Sequence, residues 1–312
     1  MIPMVDMARL LADRGVLVSI ITTPVNAARI KPVIDRSISA GLPIRFVELD
    51  FPCAKAGLPD GCENFDLVPS IDLYKPFVEA FEFLREPLEL YLREPDVPVA
   101  SCLITDSCHW WTAAVARAFG IPRFVFYGPS CFFNLCVHNI RLHDAYGSVV
   151  DDFEPVVIPG LPLRVEIAKA QAPGGWFCTP GWEDIHGKVV EAAGTADGVV
   201  INTFRDLEPE FLGCYEKAVG KSVWPIGPLS LYNKDFASKA SRGNKASVDE
   251  GRLSSWLDSM EPGSVVYVSF GSLARNGPSQ VVEIGRGLEG SGRPFVWAMK
   301  EAERCPEVEE WM

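Results

Sequence analysis

Residues 101–132 read SCLITDSCHWWTAAVARAFGIPRFVFYGPSCF and contain the alternation that decides the fold. Two short runs of apolar, β-branched and aromatic residues, SCLIT (101–105) and RFVFY (123–127), have the composition of strands. The segment between them, near 109–119, is predicted to be a helix. A strand, a helix and a strand in this order predict a βαβ unit with parallel strands.

The same alternation continues on both sides of this unit. A helix is predicted near 3–14, and VLVSIIT (16–22) after it is a continuous apolar run, typical of a strand buried on both faces. GVVIN (198–202) and VWPI (223–226) are the last strands before the composition changes. The chain is therefore predicted to be an α/β protein with a doubly wound parallel sheet. The remaining predicted helices lie near 26–40, 74–93, 130–146, 183–194, 206–219, 251–258 and 278–290, and the remaining strands at 44–50, 264–270 and 293–299.

A polar segment after Gly227 divides the chain. From there to about Glu250 the sequence is rich in Ser, Lys, Asn and Gly and has no clear period, which is typical of a linker. We expect a first domain over 1–226, a linker over 227–260 and a partial second domain over 261–312. The chain starts with a helix where a doubly wound sheet normally starts with a strand, and about 50 residues are few for a second core. We therefore expect a fragment that is truncated at both ends.

Composition excludes several classes of protein. The 312 residues are 48% hydrophobic with a net charge of −12, which indicates a globular chain and disfavours nucleic acid as a partner. Nine cysteines, an odd number without a C-x-x-C pair, predict reduced thiols, and the four histidines have no metal-ligand spacing. The charged first helix is unlike a signal peptide, and no apolar run is long enough to span a membrane. We expect a cytoplasmic protein that uses no metal.

Three short motifs resemble known signatures but fail in context. GRGLEG (285–290) matches G-x-G-x-x-G, yet it closes a predicted helix, whereas a dinucleotide fingerprint follows a strand. GPSCF (128–132) approaches the nucleophile elbow of serine hydrolases, but Phe132 replaces the last glycine. FGSLARNG (270–277) lacks the G-K-[ST] ending of an ATP-binding loop. Its small-residue turn is either a phosphate contact through backbone N–H groups or an ordinary strand-to-helix turn.

Asp106 follows the strand SCLIT directly and precedes a predicted helix. In open α/β sheets, ligands gather at the carboxyl ends of the strands, so a carboxylate at this position is a candidate site residue. Aspartate is also a common N-cap of a following helix. Both roles remain open from the pattern alone.

Several longer stretches occur together in the order of one enzyme family. They include MIPMVDMARLLADRGVLVSIITTP, SCLITDSCHWWTAAVARAFGIPRFVFYGPSCF, GVVINTFRDLEPEF, VWPIGPLSLYNK and WLDSMEPGSVVYVSFGSLA. In these stretches, which together cover most of the chain, the sequence resembles plant family-1 UDP-glycosyltransferases. The resemblance implies a GT-B architecture of two Rossmann-like domains, the second of which is only begun here. It also implies a metal-independent, inverting transfer of a hexose, most commonly glucose, from a UDP-sugar co-substrate to a hydroxyl of a small plant metabolite such as a flavonoid or terpenoid.

The resemblance also implies roles for particular residues. Asp106 falls on the aspartate that orients the catalytic histidine, which removes the proton of the acceptor hydroxyl. Gly271 and Ser272 fall on the turn that meets the donor diphosphate. Gly128 and Ser130 belong to the segment that borders the sugar, where many relatives have a hydroxyl residue near position 128. Trp110, Phe132 and Phe133 are expected either to line the acceptor pocket or to pack in the core.

Two family elements do not fall within this sequence. The catalytic histidine of the family belongs to a Gly-His pair immediately before the stretch that begins here at Met1, and none of the four histidines matches it. The signature that grips the uridine would lie beyond Met312. We therefore expect the chain alone to show little or no transferase activity. We also expect it to be a monomer. The alternative is a non-catalytic acceptor domain that binds small molecules or a protein, and a serine hydrolase at Ser130 is a third reading.

Overall fold

The computed structural model describes most of the chain, in two compact units. The described residues are 1–172, 181–234, 239, 248–271, 274, 276–300, 303 and 305–311. The first unit comprises Met1–Glu63 and Ser70–Gly243, and the second comprises Asn64–Pro69 and Asn244–Met312.

The first unit contains nine described α-helices and eight described strands. The helices are α1 (Ile2–Ala12), α2 (Pro24–Arg29), α3 (Lys31–Ser39), α4 (Tyr74–Ala80), α5 (Arg85–Leu92), α6 (Thr112–Phe119), α7 (Cys131–Leu142), α8 (Glu183–Gly194) and α9 (Pro209–Val219). The strands are β1 (Val18–Thr22), β2 (Ile44–Glu48), β3 (Leu103–Asp106), β4 (Arg123–Tyr127), β5 (Pro155–Val157), β6 (Glu166–Ala168), β7 (Gly198–Ile201) and β8 (Val223–Pro225).

Parallel pairing dominates the sheets of this unit. Strands β3, β4, β7 and β8 form one parallel sheet in that order, and β1 pairs with β2 in a second parallel sheet. A short antiparallel hairpin joins β5 and β6. The predicted α/β class with parallel strands is confirmed.

Helix α1 packs against both parallel sheets. Met7 contacts Phe126 and Val200 of the four-stranded sheet, and Ala8 and Ala12 belong to a cluster around Ile44 of the other sheet. The opposite side of the four-stranded sheet packs against α7 and α9 in a core that includes Leu135 and Leu212. The first helix therefore belongs to the structural centre of the unit.

Two predicted helices are divided, in each case close to a proline. The helix expected over 26–40 is α2 followed by α3, because Pro32 lacks the amide hydrogen that would bond to the Ala28 carbonyl in one continuous helix. The helix expected over 74–93 is interrupted by a 3₁₀ turn at Phe81–Leu84, three residues before Pro87. The hydrophobic periodicity continues through both breaks, so the sequence predicted one continuous helix in each case.

The first strand is less buried than its sequence predicts. Val16 and Leu17 lie outside β1 and are 46% and 50% exposed, and β1 itself is mostly half-buried. Among the described strands, β1 pairs only with β2, so one of its edges has no neighbour there. The expectation of a strand buried on both faces was wrong, because pairing with β2 begins only at Val18 and the two apolar residues before it lie in the connection after α1.

The second unit contains a parallel pair of strands and three described α-helices. Strands β9 (Val266–Ser269) and β10 (Phe295–Ala298) pair in parallel on either side of α11 (Pro278–Gly290) in the chain. The GRGLEG motif lies within α11 and ends it, as predicted, so it is not a cofactor loop. The other helices are α10 (Glu250–Asp258) and α12 (Pro306–Trp311).

Gly285 of this motif has a packing role instead. A Cβ atom added there would lie 2.1 Å from the ring of Trp311, so the glycine makes room for the indole. Among the described residues, no helix has the length and apolar character needed to cross a membrane. Within the same residues, no cluster of histidine, cysteine and carboxylate side chains could hold a metal ion.

Candidate functional site

Asp106 is the last residue of β3, and its carboxylate stabilises the turn that follows. Oδ1 accepts a hydrogen bond from the Cys108 amide at 3.0 Å, and the Asp106 carbonyl accepts one from the His109 amide at 3.0 Å. Helix α6 begins only at Thr112, and its N-cap residue is Trp111. The carboxylate therefore does not cap α6, which removes one of the two readings that the sequence left open.

The thiol of Cys108 also holds the Asp106 carboxylate. It donates a side-chain hydrogen bond to Asp106, and burial together with the Asp106 charge raises the pKa of the Cys108 thiol. The thiol therefore remains protonated and able to donate. Two donors from one residue fix the orientation of a half-buried carboxylate at the carboxyl end of a parallel strand.

The first helix of the chain packs against β3, the strand that precedes this turn. Met4, in the first turn of α1, belongs to the same hydrophobic cluster as Ile104 of β3, so the start of α1 lies close to this strand. Burial is the main cause that lowers the pKa of His109, and the Asp106 carboxylate opposes this effect.

His109 itself is not in a position to act as a base. Its ring packs edge-on against Phe81, with centroids 4.8 Å apart, and lies 5.9 Å from the ring of Trp111. Nδ1 is buried without a hydrogen-bond partner among the described residues. Its lowered pKa keeps the imidazole neutral in this aromatic cluster.

The aromatic residues expected near an acceptor have different surroundings. Trp110 is buried, the amino group of Lys188 lies 5.4 Å above its ring, and its indole nitrogen has no hydrogen-bond partner among the described residues. Phe132 packs edge-on against Phe211 of α9 at 5.0 Å, which favours a packing role. Phe133 is half-buried in the first turn of α7. A contact with an acceptor stays a prediction for all three predicted residues.

The turn that follows β4 is ordered by side chains. Ser130 is the N-cap of α7, and its hydroxyl oxygen accepts a hydrogen bond from the Phe133 amide at 3.2 Å. Its φ of −65° and ψ of 167° are those of ordinary extended backbone, whereas a nucleophile elbow holds its serine in a strained turn. A Cβ added at Gly128 would have no described atom within 4 Å.

Glu208, which sequence reasoning did not single out, binds the start of α7. Its two carboxylate oxygens accept hydrogen bonds from the amides of Cys131 at 2.9 Å and Phe132 at 2.8 Å. The two partners are 77 and 76 residues away in the sequence, so no local spacing reveals the contact. The charged residues around it, Arg205, Asp206 and Glu210, give no signal that sets Glu208 apart.

The small-residue turn of the second unit is partly described. Gly271 is exposed and has a φ of +73°, a left-handed conformation that glycine adopts without strain. Further along, Asn276 donates a hydrogen bond to Glu303 at 3.1 Å, and the amino group of Lys300 donates to the carbonyl of Ala274. Ser272 lies outside the described residues. A contact between this turn and a diphosphate stays a prediction.

Comparison with known proteins identifies the relatives of this chain. Aligned along its full length, it is 43% identical to UDP-glycosyltransferase 73D1 and 44% identical to UDP-glycosyltransferase 73C6, both of Arabidopsis thaliana. The chain is a homologue of plant UDP-glycosyltransferases. It spans 62% and 63% of the length of these two relatives. No family model matches the chain.

Solved structures of plant UDP-glycosyltransferases have the same fold. UGT73P12 of Glycyrrhiza uralensis, complexed with glycyrrhetinic acid 3-O-monoglucuronide, superposes with a TM-score of 0.84 and 33% identity over 99% of this chain and 63% of its own. UGT89C1 of Arabidopsis thaliana, complexed with UDP-L-rhamnose, gives 0.70 and 26% over 98% of this chain and 63% of its own. The predicted GT-B class and the resemblance to plant UDP-glycosyltransferases are confirmed.

Proposed function

We propose that this chain is part of an inverting glycosyltransferase that moves a hexose from a UDP-sugar to a hydroxyl of a small plant secondary metabolite. The identity of 43–44% to two plant UDP-glycosyltransferases along the whole chain supports the reaction class. Glucose is the proposed sugar, and flavonoids and terpenoids are the proposed acceptors. We further propose that the protein is a cytoplasmic monomer that uses no metal and no cofactor besides the UDP-sugar co-substrate.

The observation that carries this proposal is the position of Asp106 at the carboxyl end of β3, a strand whose Ile104 packs in one cluster with Met4 of α1. In the proposed mechanism, a histidine from the segment immediately before the stretch that begins at Met1 removes the proton from the acceptor hydroxyl. The freed oxygen attacks the anomeric carbon of the sugar, and UDP leaves from the opposite face. Asp106 orients the imidazole and stabilises its charged form, and Cys108 holds the carboxylate in place.

The remaining contacts are assigned by unit. In the first unit, Trp110 and Phe133 would line the acceptor pocket, and Phe132 would support them from the α7–α9 interface. Gly128 and Ser130 would border the sugar. In the second, the turn at Gly271 and Ser272 would meet the diphosphate. The exposed, left-handed backbone of Gly271 supports this last assignment, since such turns present backbone N–H groups to anions.

A chimera provides the test of function. This chain would replace the matching region of UDP-glycosyltransferase 73C6, and transfer from UDP-glucose to a panel of flavonoid and terpenoid alcohols would be measured. We expect the chimera to transfer glucose, Asp106→Asn to lower its kcat about a hundredfold or more, and Asp60→Asn, at an exposed loop position, to leave kcat unchanged.

Two outcomes would contradict the proposal in different places. Full activity of the Asp106→Asn chimera would remove the proposed role of this carboxylate. A well-folded chimera that transfers no sugar to any acceptor would contradict the proposed function of the chain itself. The 312-residue chain alone is expected to show little or no turnover, and a rate comparable to that of the chimera would overturn that expectation.

A further inference from the structure

Glu208 is a buried carboxylate that the mechanism above does not use. Its residue is 7% exposed, and both carboxylate oxygens accept backbone hydrogen bonds, from Cys131 at 2.9 Å and from Phe132 at 2.8 Å. Burying a charge is costly unless hydrogen bonds compensate it. The groups that are hydrogen-bonded to this buried carboxylate should therefore explain why it is there.

The group that it holds is the start of α7, directly after the turn Gly128–Ser130. The first amides of a helix have no partner within the helix, and a negative charge near them is favourable because of the helix dipole. Glu208 satisfies the first two amides of α7, and the Ser130 hydroxyl satisfies the third. On the other side, the Asn134 amide group donates to the carbonyls of Pro129 and Ser130 at 3.1 and 2.8 Å.

Glu208 also lies at the start of a second helix. It is the residue before Pro209 and the N-cap of α9, which packs along α7 through Leu135, Leu212 and Tyr215. One carboxylate thus adjoins the positive ends of two neighbouring helices. Burial and then the Glu208 charge raise the pKa of the Cys131 thiol to about 12, so this thiol stays protonated beside the carboxylate.

We infer that Glu208 is a positioning residue that fixes the turn Gly128–Ser130 at the end of β4. This inference rests on the proposed function, which sets that turn beside the sugar of the donor. Because the first three amides of α7 already have acceptors, the turn has no free helix amides to offer to a phosphate. It is therefore suited to the neutral hydroxyl groups of the sugar and not to the charged diphosphate.

A purely structural role for Glu208, joining α7 to α9, is the competing explanation. Glu208→Gln separates the two, because it keeps the size of the side chain but replaces one acceptor oxygen with an NH₂ group. Glu210→Gln is the matched control, since Glu210 is exposed in the first turn of the same helix. Glu208→Asp keeps the charge on a shorter side chain and serves as the second variant if the first does not fold.

The experiment combines amide hydrogen exchange with an NMR titration of UDP-glucose on the chimera described above, which also carries the remaining sequence of UDP-glycosyltransferase 73C6. In Glu208→Gln, the amides of Cys131 and Phe132 should exchange about tenfold faster than in the unmodified chimera, which is the effect of losing one charge-assisted hydrogen bond. The response of the Gly128 and Ser130 amides to UDP-glucose should require a several-fold higher concentration. Glu210→Gln should change both within twofold.

The outcomes distinguish this inference from the proposed function. Unchanged exchange at Cys131 and Phe132 in Glu208→Gln would overturn the inference. Faster exchange with an unaltered UDP-glucose response would also overturn it, because a purely structural role predicts that result. If Gly128 and Ser130 do not respond to UDP-glucose even in the unmodified chimera, the donor assignment fails, and the exchange rates alone decide whether Glu208 fixes the turn.

Discussion

The ends of two neighbouring strands are stabilised in different ways. β3 and β4 pair in parallel, so Asp106 and the turn Gly128–Ser130 follow the same edge of the sheet. Cys108, two residues further along the chain, holds the Asp106 carboxylate. The second turn depends on Glu208, from a different helix. Local contacts of the first kind can be read from a sequence, whereas contacts of the second kind become visible only in the fold.

The largest effect is expected from removing the long-range contact. Glu208→Ala leaves two buried amides without an acceptor, so the free energy of unfolding should fall by about 3 kcal/mol. Ser130→Ala removes one helix cap of the same turn and should cost about 1 kcal/mol. Urea denaturation of both variants measures the difference. If both variants lose the same free energy of unfolding, Glu208 does not stabilise this turn more than the local Ser130 cap does.

A smaller effect is expected from the local contact at Asp106. Cys108→Ala removes the thiol donor but keeps the backbone amide that binds Oδ1, so the free energy of unfolding should fall by about 1 kcal/mol. Cys108→Ser retains a donor at that position and should lose less. Urea denaturation again provides the values. A larger loss in Cys108→Ala than in Glu208→Ala would reverse the comparison.

The acid sensitivity of the Asp106 turn provides a third check. Burial lowers the pKa of His109 in the folded chain, so below a pH of about 6.5 the unfolded chain binds a proton at this residue that the folded chain does not. This difference should lower the free energy of unfolding as the pH falls from 7 to 5. His109→Phe should reduce that dependence, while His138 and His186, whose pKa values burial also lowers, remain in both proteins. An unchanged dependence in His109→Phe, from urea denaturation at both pH values, would contradict this account.

The smallest effect is expected at Gly128. An added methyl group would meet no described atom, and the φ of this residue is not in the left-handed region. Gly128→Ala should therefore change the free energy of unfolding by less than about 0.5 kcal/mol. Gly227→Ala is the contrasting variant, because its Cβ would lie 2.7 Å from the backbone of Asn202. Similar thermal unfolding temperatures for Gly128→Ala and Gly227→Ala would contradict the conclusion that a methyl group fits at the first position and clashes at the second.

Much of the fold could be predicted because its signals are local. Apolar runs located the main strands of both parallel sheets, since a buried strand needs apolar side chains on successive residues. The boundaries were less certain where prolines divide α2 from α3 and α4 from α5. The exposure of Val16 and Leu17 was not predictable, because the fold sets the residue at which pairing with β2 begins and the apolar run does not.

The site was predictable only in part. Asp106 was found from its position at the end of a strand and from the family resemblance, and the structure removed the helix-cap alternative. Phe132 was expected near an acceptor, but its contact with Phe211 depends on how α7 packs against α9. Glu208 was missed because its hydrogen bonds join residues that are more than 70 positions apart.

The most direct test of the central claim is an NMR titration of a histidine placed in a Gly-His pair immediately before Met1. If Asp106 is the partner of a base at that position, its carboxylate should raise the pKa of the added imidazole, and Asp106→Asn should bring that pKa down. Asp60→Asn should leave it unchanged. The same imidazole pKa with and without the Asp106 carboxylate would contradict the account.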